Sequence, residues 1–258
     1  MSNLIVTIIQ SSLHWENIDA NIKMFSQKLD NLKGKTDLIV LPEMFTTGFT
    51  MKAEVYAENM NGKSIEFLKK YSKKLNSYIC GSIIIKSGNK YFNRLIVGLP
   101  DGRIHYYDKR HLFRMAKENS IYSNGNKHLV VAIKNWKVAF FICYDLRFPV
   151  WCRNVNNYDL SVFVANWPES RIYTWKSLLI SRAIENQSYI IGLNRTGRDG
   201  NGVKYSGGSA ILDPTGKYVI NCNYRIGNFT TELDLELLEK FRKKFPVHKD
   251  ADKFNIVL

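Results

Sequence analysis

Three side chains with the capacity for chemistry each come directly after a predicted strand. Cys143 follows the apolar run 138–142, Glu43 ends a second apolar run, and Lys109 follows a third strand at the start of a long loop. A thiol held rigidly at the mouth of a sheet can act as a nucleophile, and an ammonium group can stabilise an oxyanion. A carboxylate that emerges from a buried strand is partly desolvated, which suits a general base near neutral pH. The three residue types therefore predict catalysis through a cysteine nucleophile.

Each of these residues also has an ordinary structural interpretation. A buried cysteine is usually inert packing, a carboxylate at a strand end often caps a turn, and a lysine after a strand is usually solvated. Within the loop 108–127, Glu118 carries no signal of its own, and a solvated carboxylate is the default interpretation. A Cys–His pair with His105 or His111 is a further alternative, although the sequence positions neither histidine.

The composition favours a globular protein with a small-molecule partner. The 258 residues include 37 basic and 23 acidic side chains, which gives a formal net charge of +14. Such a charge raises the possibility of nucleic-acid binding, but the lysine clusters lie on two predicted helices, 64–75 and 235–244, without aromatic residues spaced for base stacking. We therefore expect solvated helix faces, no nucleic-acid partner, and electrostatic attraction of a small anionic substrate.

The cysteines and the N-terminal residues favour a reduced compartment. The four cysteines show no CxxC pairing and no spacing typical of metal ligands, so we expect a cytoplasmic protein without a metal site. The first residues contain no targeting pattern, and no apolar run is long enough to span a membrane.

Strands and helices alternate along the chain, and turn signals also pair several strands as hairpins. The pattern predicts one domain over 1–258, built from mixed sheets covered by helices. Pro149 is predicted to begin a helix after Cys143, because proline suits the first helical turn. The segment 197–208 is predicted to be a glycine-rich loop, and the long loop 108–127 is predicted to be functional.

Several segments taken together resemble the carbon-nitrogen hydrolase (nitrilase) superfamily. The resemblance covers almost the whole chain, and the Cys-Tyr-Asp-Leu-Arg-Phe-Pro run is its most specific part. The matching segments are 41–44 (LPEM), 108–112 (DKRHL), 141–149 (FICYDLRFP), 166–168 (NWP) and 182–187 (RAIENQ). Within the superfamily the chain is most similar to the omega-amidase branch, on the loop 111–116 and, less specifically, the stretch 199–202.

The resemblance implies a fold and a set of catalytic roles. The fold is a four-layer α-β-β-α sandwich that often dimerises through the helix after the nucleophile, so a homodimer is expected. Glu43, Lys109 and Cys143 form the implied catalytic set, with Glu118 as the family's second glutamate and the backbone N–H of Tyr144 as an oxyanion donor. No metal or organic cofactor is implied, because thiol, base and cation cover every step.

The omega-amidase branch hydrolyses the terminal amide of 2-oxoglutaramate and 2-oxosuccinamate, so the resemblance implies a small anionic amide substrate. A substrate carboxylate favours an arginine partner. The candidate arginines are Arg114, Arg171 and Arg195, of which Arg114 is favoured because its loop also bears Lys109. The aromatic candidates for the pocket wall are Phe113, Phe49 and Trp167, each of which could equally be ordinary packing.

Two rival functions remain open from the sequence. The first is another chemistry of the same superfamily, such as a nitrilase, an N-carbamoyl hydrolase or an aliphatic amidase. The second is a non-catalytic basic binding protein, which predicts salt-sensitive nucleic-acid binding and an activity that survives Cys143→Ala.

Overall fold

The computed structural model describes residues 3–32 and 34–257. In chain order its strands are β1 (Leu4–Gln10), β2 (Leu38–Val40), β3 (Tyr78–Ser87), β4 (Lys90–Gly98), β5 (Ile104–Asp108), β6 (Val130–Ile133), β7 (Trp136–Ile142), β8 (Leu160–Ala165), β9 (Tyr189–Asn194), β10 (Thr196–Arg198), β11 (Lys204–Ser206), β12 (Ser209–Leu212), β13 (Tyr218–Asn223) and β14 (Gly227–Leu233). Its α-helices are α1 (Ile18–Asp30), α2 (Ala53–Tyr56), α3 (Lys63–Leu75), α4 (Glu118–Ile121), α5 (Ile172–Asn186) and α6 (Leu235–Lys244). Short 3₁₀ turns cover Arg114–Ala116, Cys143–Arg147, Glu169–Arg171 and Val247–Asp250.

Most of the strands belong to two six-stranded sheets of related topology. Their strand orders are β14-β1-β2-β3-β4-β5 and β13-β12-β9-β8-β7-β6. In each sheet three adjacent strands run parallel, β1 with β2 and β3, and β7 with β8 and β9. Antiparallel strands complete both edges. Because parallel strands end at one edge of a sheet, the residues that follow β2 and β7 can gather side chains there.

The two sheets pack face to face through the apolar residues that alternate along their strands. Leu4, Val6 and Ile8 of β1 share one buried cluster with Val138 and Phe140 of β7. Residues two apart in a strand point to the same side, so these side chains form the layer between the sheets.

Helices cover the two outer faces of the stacked sheets. Phe25 of α1 and Ile65 of α3 pack with Ile9 on the outer side of the first sheet. On the second sheet, Trp175 and Leu179 of α5 close over Gly192 of β9, where an added Cβ would overlap Leu179 and crowd Trp175. The predicted mixed α/β fold with stacked sheets and helices on both sides is confirmed.

The helix predicted to begin at Pro149 is a wrong prediction. The residues after Cys143 form a 3₁₀ turn that ends at Arg147, and the following segment, up to Tyr158, consists of turns. Asn154 holds that segment, since its side chain both donates to the carbonyl of Tyr158 and accepts from its N–H, at 2.8 and 2.7 Å. Asparagine side chains that bond to nearby backbone favour turns over helices.

The glycine-rich loop predicted over 197–208 contains a hairpin instead. Strands β10 and β11 pair antiparallel, and the chain reverses at Gly202, which has a φ of +80°. Asp199 closes the turn, because its Oδ1 accepts from the backbone N–H groups of Asn201 and Val203, both at 2.9 Å. Gly202 therefore permits a tight turn between two paired strands, and the segment is not an irregular loop.

Within residues 3–32 and 34–257, no helix has the length and apolar character needed to cross a membrane.

Candidate active site

The structure brings together the three residues that the sequence singled out. Glu43 lies three residues beyond β2, Lys109 directly follows β5, and Cys143 directly follows β7. The Lys109 Nζ lies 2.9 Å from the Glu43 Oε1, and the Cys143 thiol lies close enough to both groups for their charges to shift its pKa. The exposed fraction is 0% for Glu43, 1% for Lys109 and 9% for Cys143. Residues that are far apart in sequence therefore form one buried cluster between the two sheets.

The Glu43 carboxylate is held by donors on three sides. Besides Lys109, the side chain of Asn93 donates to Oε1 at 2.8 Å, and the backbone N–H of Asn166 donates to Oε2 at 2.7 Å. Asn93 is itself fixed, because Ser82 donates to its Oδ1 at 2.8 Å. Asn93 was not among the predicted site residues, because it lies in the middle of β4 and carries no local sequence signal.

Glu118 is buried beside Lys109. The default interpretation of its loop position, a solvated carboxylate, was therefore wrong. Its two oxygens lie 3.1 and 3.0 Å from the Lys109 Nζ, and its Oε2 accepts from the backbone N–H of Phe113 at 2.6 Å. Burial raises the pKa of Glu118, the Lys109 ammonium opposes that shift, and the Glu43 carboxylate adds to it. The two glutamates therefore share one ammonium group.

Lys109 remains a cation in spite of its burial. Burial alone lowers the pKa of Lys109, but the negative charges of Glu118 and Glu43 outweigh it and hold that pKa above its ordinary value. The Nζ also lies 5.2 Å from the centre of the Phe49 ring, within the range of a cation–π contact. A permanently charged ammonium at this position can stabilise a negative oxygen.

The Cys143 thiol is protonated at neutral pH. Burial raises the pKa of Cys143 well above its ordinary value, and the Glu43 carboxylate raises it further, while Lys109 opposes the shift. A nucleophilic attack by this sulfur therefore requires a base that removes its proton during the reaction. Cys143 also has a φ of +45°, a left-handed backbone conformation that is strained for a non-glycine residue.

Asp145 fixes the turn that carries the nucleophile. Its Oδ2 accepts from the backbone N–H of Ile142 at 3.0 Å and from the Tyr107 hydroxyl at 2.7 Å. Its Oδ1 accepts from the backbone N–H of His111 and lies 2.9 Å from the His111 ring nitrogen. Two histidines were open from the sequence as partners of the thiol. In the structure His111 contacts Asp145, and His105 is exposed on β5.

A cavity of about 430 Å³ opens onto Glu43, Lys109 and Cys143. The expected wall residues Phe49, Phe113 and Trp167 line it, together with Tyr144 and residues of the β10–β11 hairpin. Two arginines line it as well, Arg147 and Arg171. The guanidinium of Arg147 lies 5.1 Å from the Trp167 ring centre, and that of Arg171 lies 5.4 Å from the Phe113 ring centre.

The favoured arginine of the sequence analysis does not belong to this cavity. Arg114 is exposed on its 3₁₀ turn and is absent from the cavity lining. Arg195 is fully buried behind the wall, where its guanidinium lies 4.7 Å from the Tyr205 ring centre. Of the three candidate arginines, Arg171 is the one that lines the cavity. Arg147, which lies in the segment that carries the nucleophile, was not among the candidates.

Among the residues that the structure describes, no group of three or more His, Cys, Asp or Glu side chains is arranged to hold a metal ion.

The chain belongs to the carbon-nitrogen hydrolase family, whose model matches residues 5–243. It is 44% identical to omega-amidase YafV of Yersinia enterocolitica over 98% of this chain and 99% of that protein. It is 31% identical to 2-oxoglutaramate amidase of Bacillus subtilis, over 96% and 97% of the two chains. The family predicted from the sequence motifs is thereby confirmed.

The fold is also similar to a solved structure of the same superfamily. A CN-hydrolase superfamily protein from Xanthomonas campestris, with an arsenic adduct in its active site, superposes with a TM-score of 0.97. The two sequences are 38% identical, and the match covers 100% of both chains.

Proposed function

We propose that the protein is an omega-amidase that releases ammonia from the terminal amide of small 2-oxo acid amides, such as 2-oxoglutaramate and 2-oxosuccinamate. The names of its relatives and their full-length similarity support this activity. The observation that carries the proposal is a single cavity lined by a thiol, a buried carboxylate, a buried ammonium and two arginines. Such a set is suited to acyl transfer from an anionic amide.

In the first half of the reaction, Glu43 takes the proton of the Cys143 thiol as the sulfur attacks the amide carbon. The carbonyl oxygen gains negative charge, which the Lys109 ammonium and the backbone N–H of Tyr144 stabilise. The loss of one such donor typically costs about 3–4 kcal/mol in the barrier. Glu43 then passes its proton to the departing nitrogen, so that ammonia leaves and a thioester to Cys143 remains.

In the second half, Glu43 removes a proton from water as the water oxygen attacks the thioester carbon. The same oxyanion donors stabilise the second tetrahedral intermediate. The carbon–sulfur bond breaks, Glu43 returns the proton to the Cys143 sulfur, and the product leaves as a carboxylic acid. One amide and one water are thus converted into one acid and one ammonia, with the enzyme unchanged.

Glu118 acts as a positioning residue in this proposal. It accepts from Lys109 through both oxygens and keeps the ammonium charged beside the reacting carbonyl. A neutral lysine amine could not stabilise an oxyanion equally well, because the interaction depends on charge.

Arg147 and Arg171 are the proposed partners of the substrate carboxylate. Each guanidinium is backed by an aromatic ring, which restricts its motion and leaves its N–H groups free to pair with an anion. Phe113 and Trp167, which supply those rings, contribute to the cavity wall and to the alignment of the aliphatic part of the substrate.

The cellular setting is part of the same proposal. All four cysteines are free thiols, which supports the cytoplasm, a reducing compartment. We further propose a homodimer with one domain per subunit, no cofactor, and no nucleic-acid partner.

The test is an ammonia-release assay with 2-oxoglutaramate, an aliphatic nitrile and an N-carbamoyl amino acid as alternative substrates. We expect kcat/KM to be highest for 2-oxoglutaramate and Cys143→Ala to abolish turnover. Cys222→Ala, which removes a buried thiol of β13 away from the cavity, is the matched control and should remain active. A preference for the nitrile or the carbamoyl compound, or full activity of Cys143→Ala, would contradict the proposal.

A further inference from the structure

The outer face of the β10–β11 hairpin forms part of a second cavity. Thr196 pairs with Ser206, Gly197 with Tyr205, and Arg198 with Lys204. Because residues two apart in a strand point to the same side, Thr196, Arg198, Lys204 and Ser206 share one face. That face lines a cavity of about 710 Å³ between the hairpin and the start of α5.

Two residues that line this second cavity have hydroxyl groups that are enclosed by protein atoms and have no hydrogen-bond partner among the described residues. They are the Oγ1 of Thr196 and the Oγ of Ser206, which stand directly opposite each other in the ladder. Thr196 has an exposed fraction of only 6%. Buried hydroxyls without partners are costly, so rotation of these two side chains toward a polar group in the cavity would be favourable.

The same face also places two cations opposite each other. Arg198 and Lys204 are direct cross-strand neighbours, an arrangement of like charges that destabilises a hairpin. Lys204 has an ion pair with Glu169 at 3.0 Å, but both side chains are substantially exposed, which makes that pair weak. Lys176 of α5 adds a third cation to the lining. The cavity thus has three positive charges and one negative charge.

We propose that this second cavity is a binding site for a small anion that carries a phosphate or carboxylate group. The Thr196 and Ser206 side chains would rotate to donate hydrogen bonds to the anion, which would also neutralise the Arg198 and Lys204 charges. The site is separate from the proposed amidase chemistry but not isolated from it, because Tyr205 of the same hairpin lines both cavities. An occupant would therefore restrain one wall of the active-site cavity.

The test compares thermal unfolding in inorganic phosphate and in sodium chloride of matched ionic strength, which removes general screening as a cause. At a phosphate concentration about ten times its Kd, the Tm of the wild-type protein should rise by about 3 °C relative to the chloride sample. In Arg198→Gln/Lys204→Gln this rise should disappear. The variant should also have a higher Tm than the wild type in chloride, because the repulsion between the two cations is removed.

Matched variants separate this site from other anion sites. Lys243→Gln/Lys244→Gln removes the same charge from the exposed end of α6 and should keep the phosphate response, as should Arg171→Gln in the active-site cavity. Thr196→Val retains the side-chain shape and should weaken phosphate binding several-fold. A response that persists in the hairpin variant and disappears in Arg171→Gln would place phosphate in the active site and overturn the proposal. A wild-type protein without any phosphate response would overturn it as well.

Discussion

Two lysine–carboxylate pairs in this molecule have the same length and opposite surroundings. Lys109 and Glu43 are separated by 2.9 Å with 1% and 0% of their side chains exposed. Lys63 and Asp19 are also separated by 2.9 Å, but 70% and 75% of those side chains are exposed. The distance between the charges therefore does not indicate how much each pair contributes to the stability of the fold.

Burial is what separates the two pairs. Water solvates and screens Lys63 and Asp19, so breaking their contact leaves two well-hydrated ions. Around Lys109 and Glu43 the protein must replace water: Glu43 and Glu118 accept from the ammonium, and the fixed amide of Asn93 donates to Glu43. Removing one charge from this cluster leaves a buried opposite charge unpaired. The same residues therefore determine both the stability of the fold and the catalytic chemistry.

Lys109→Met should produce the largest effect. It leaves Glu43 and Glu118 facing each other without a cation, which should destabilise the fold by about 3–5 kcal/mol and abolish turnover. Without the ammonium, burial and the neighbouring carboxylate raise the folded-state pKa of Glu118 further above its unfolded value of about 4.3, so the stability loss should grow as the pH rises above that value. Urea unfolding across pH measures this, and a loss independent of pH would contradict the explanation.

Glu43→Gln should lower kcat by about 10²- to 10⁴-fold, because the base is lost while the shape is kept. Burial, the largest cause of the raised pKa of Cys143, persists in this variant and adds a pH signature. Below that pKa the thiolate fraction grows tenfold per pH unit, so the residual activity of the variant should climb between about pH 7 and pH 9. The wild-type rate should not climb in this way, because Glu43 supplies the base. A residual rate that is flat with pH, or that persists in Glu43→Gln/Cys143→Ala, would argue against this role.

Arg171→Gln extends the comparison to arginines. Loss of a charge-assisted contact inside the cavity should raise KM for 2-oxoglutaramate by about ten- to a hundredfold, with a smaller change in kcat. Arg114→Gln removes an exposed guanidinium from the neighbouring loop and is the matched control, with unchanged KM. Steady-state kinetics of both variants measures the two KM values. A raised KM in Arg114→Gln with an unchanged KM in Arg171→Gln would assign the carboxylate contact to Arg114.

Lys63→Met should have the smallest effect. Its partner is exposed to solvent and remains hydrated without it, so thermal unfolding and ammonia release should both match those of the wild-type protein. A clear loss of stability here would show that exposed pairs matter in this fold and would remove the contrast with Lys109.

The elements that the sequence predicted best are those with strong local patterns. The helix predicted over 235–244 matches the structure at both ends, and the apolar run over 138–142 lies within β7, because helical periodicity and continuous apolar residues are local signals. The helix at Pro149 and the loop over 197–208 were wrong. In both segments side chains that bond to nearby backbone, Asn154 and Asp199, decided the conformation.

By itself, the sequence determined which residues could perform the chemistry, since Cys143, Glu43 and Lys109 each end a recognisable strand and lie in family motifs. Only the tertiary structure decided which groups surround them. Asn93 supports Glu43 from the middle of a strand, and Arg171 rather than Arg114 lines the cavity. The physical reason is that strand patterns depend on neighbours along the chain. The contacts in a buried cavity depend instead on how distant segments pack, which no local pattern records.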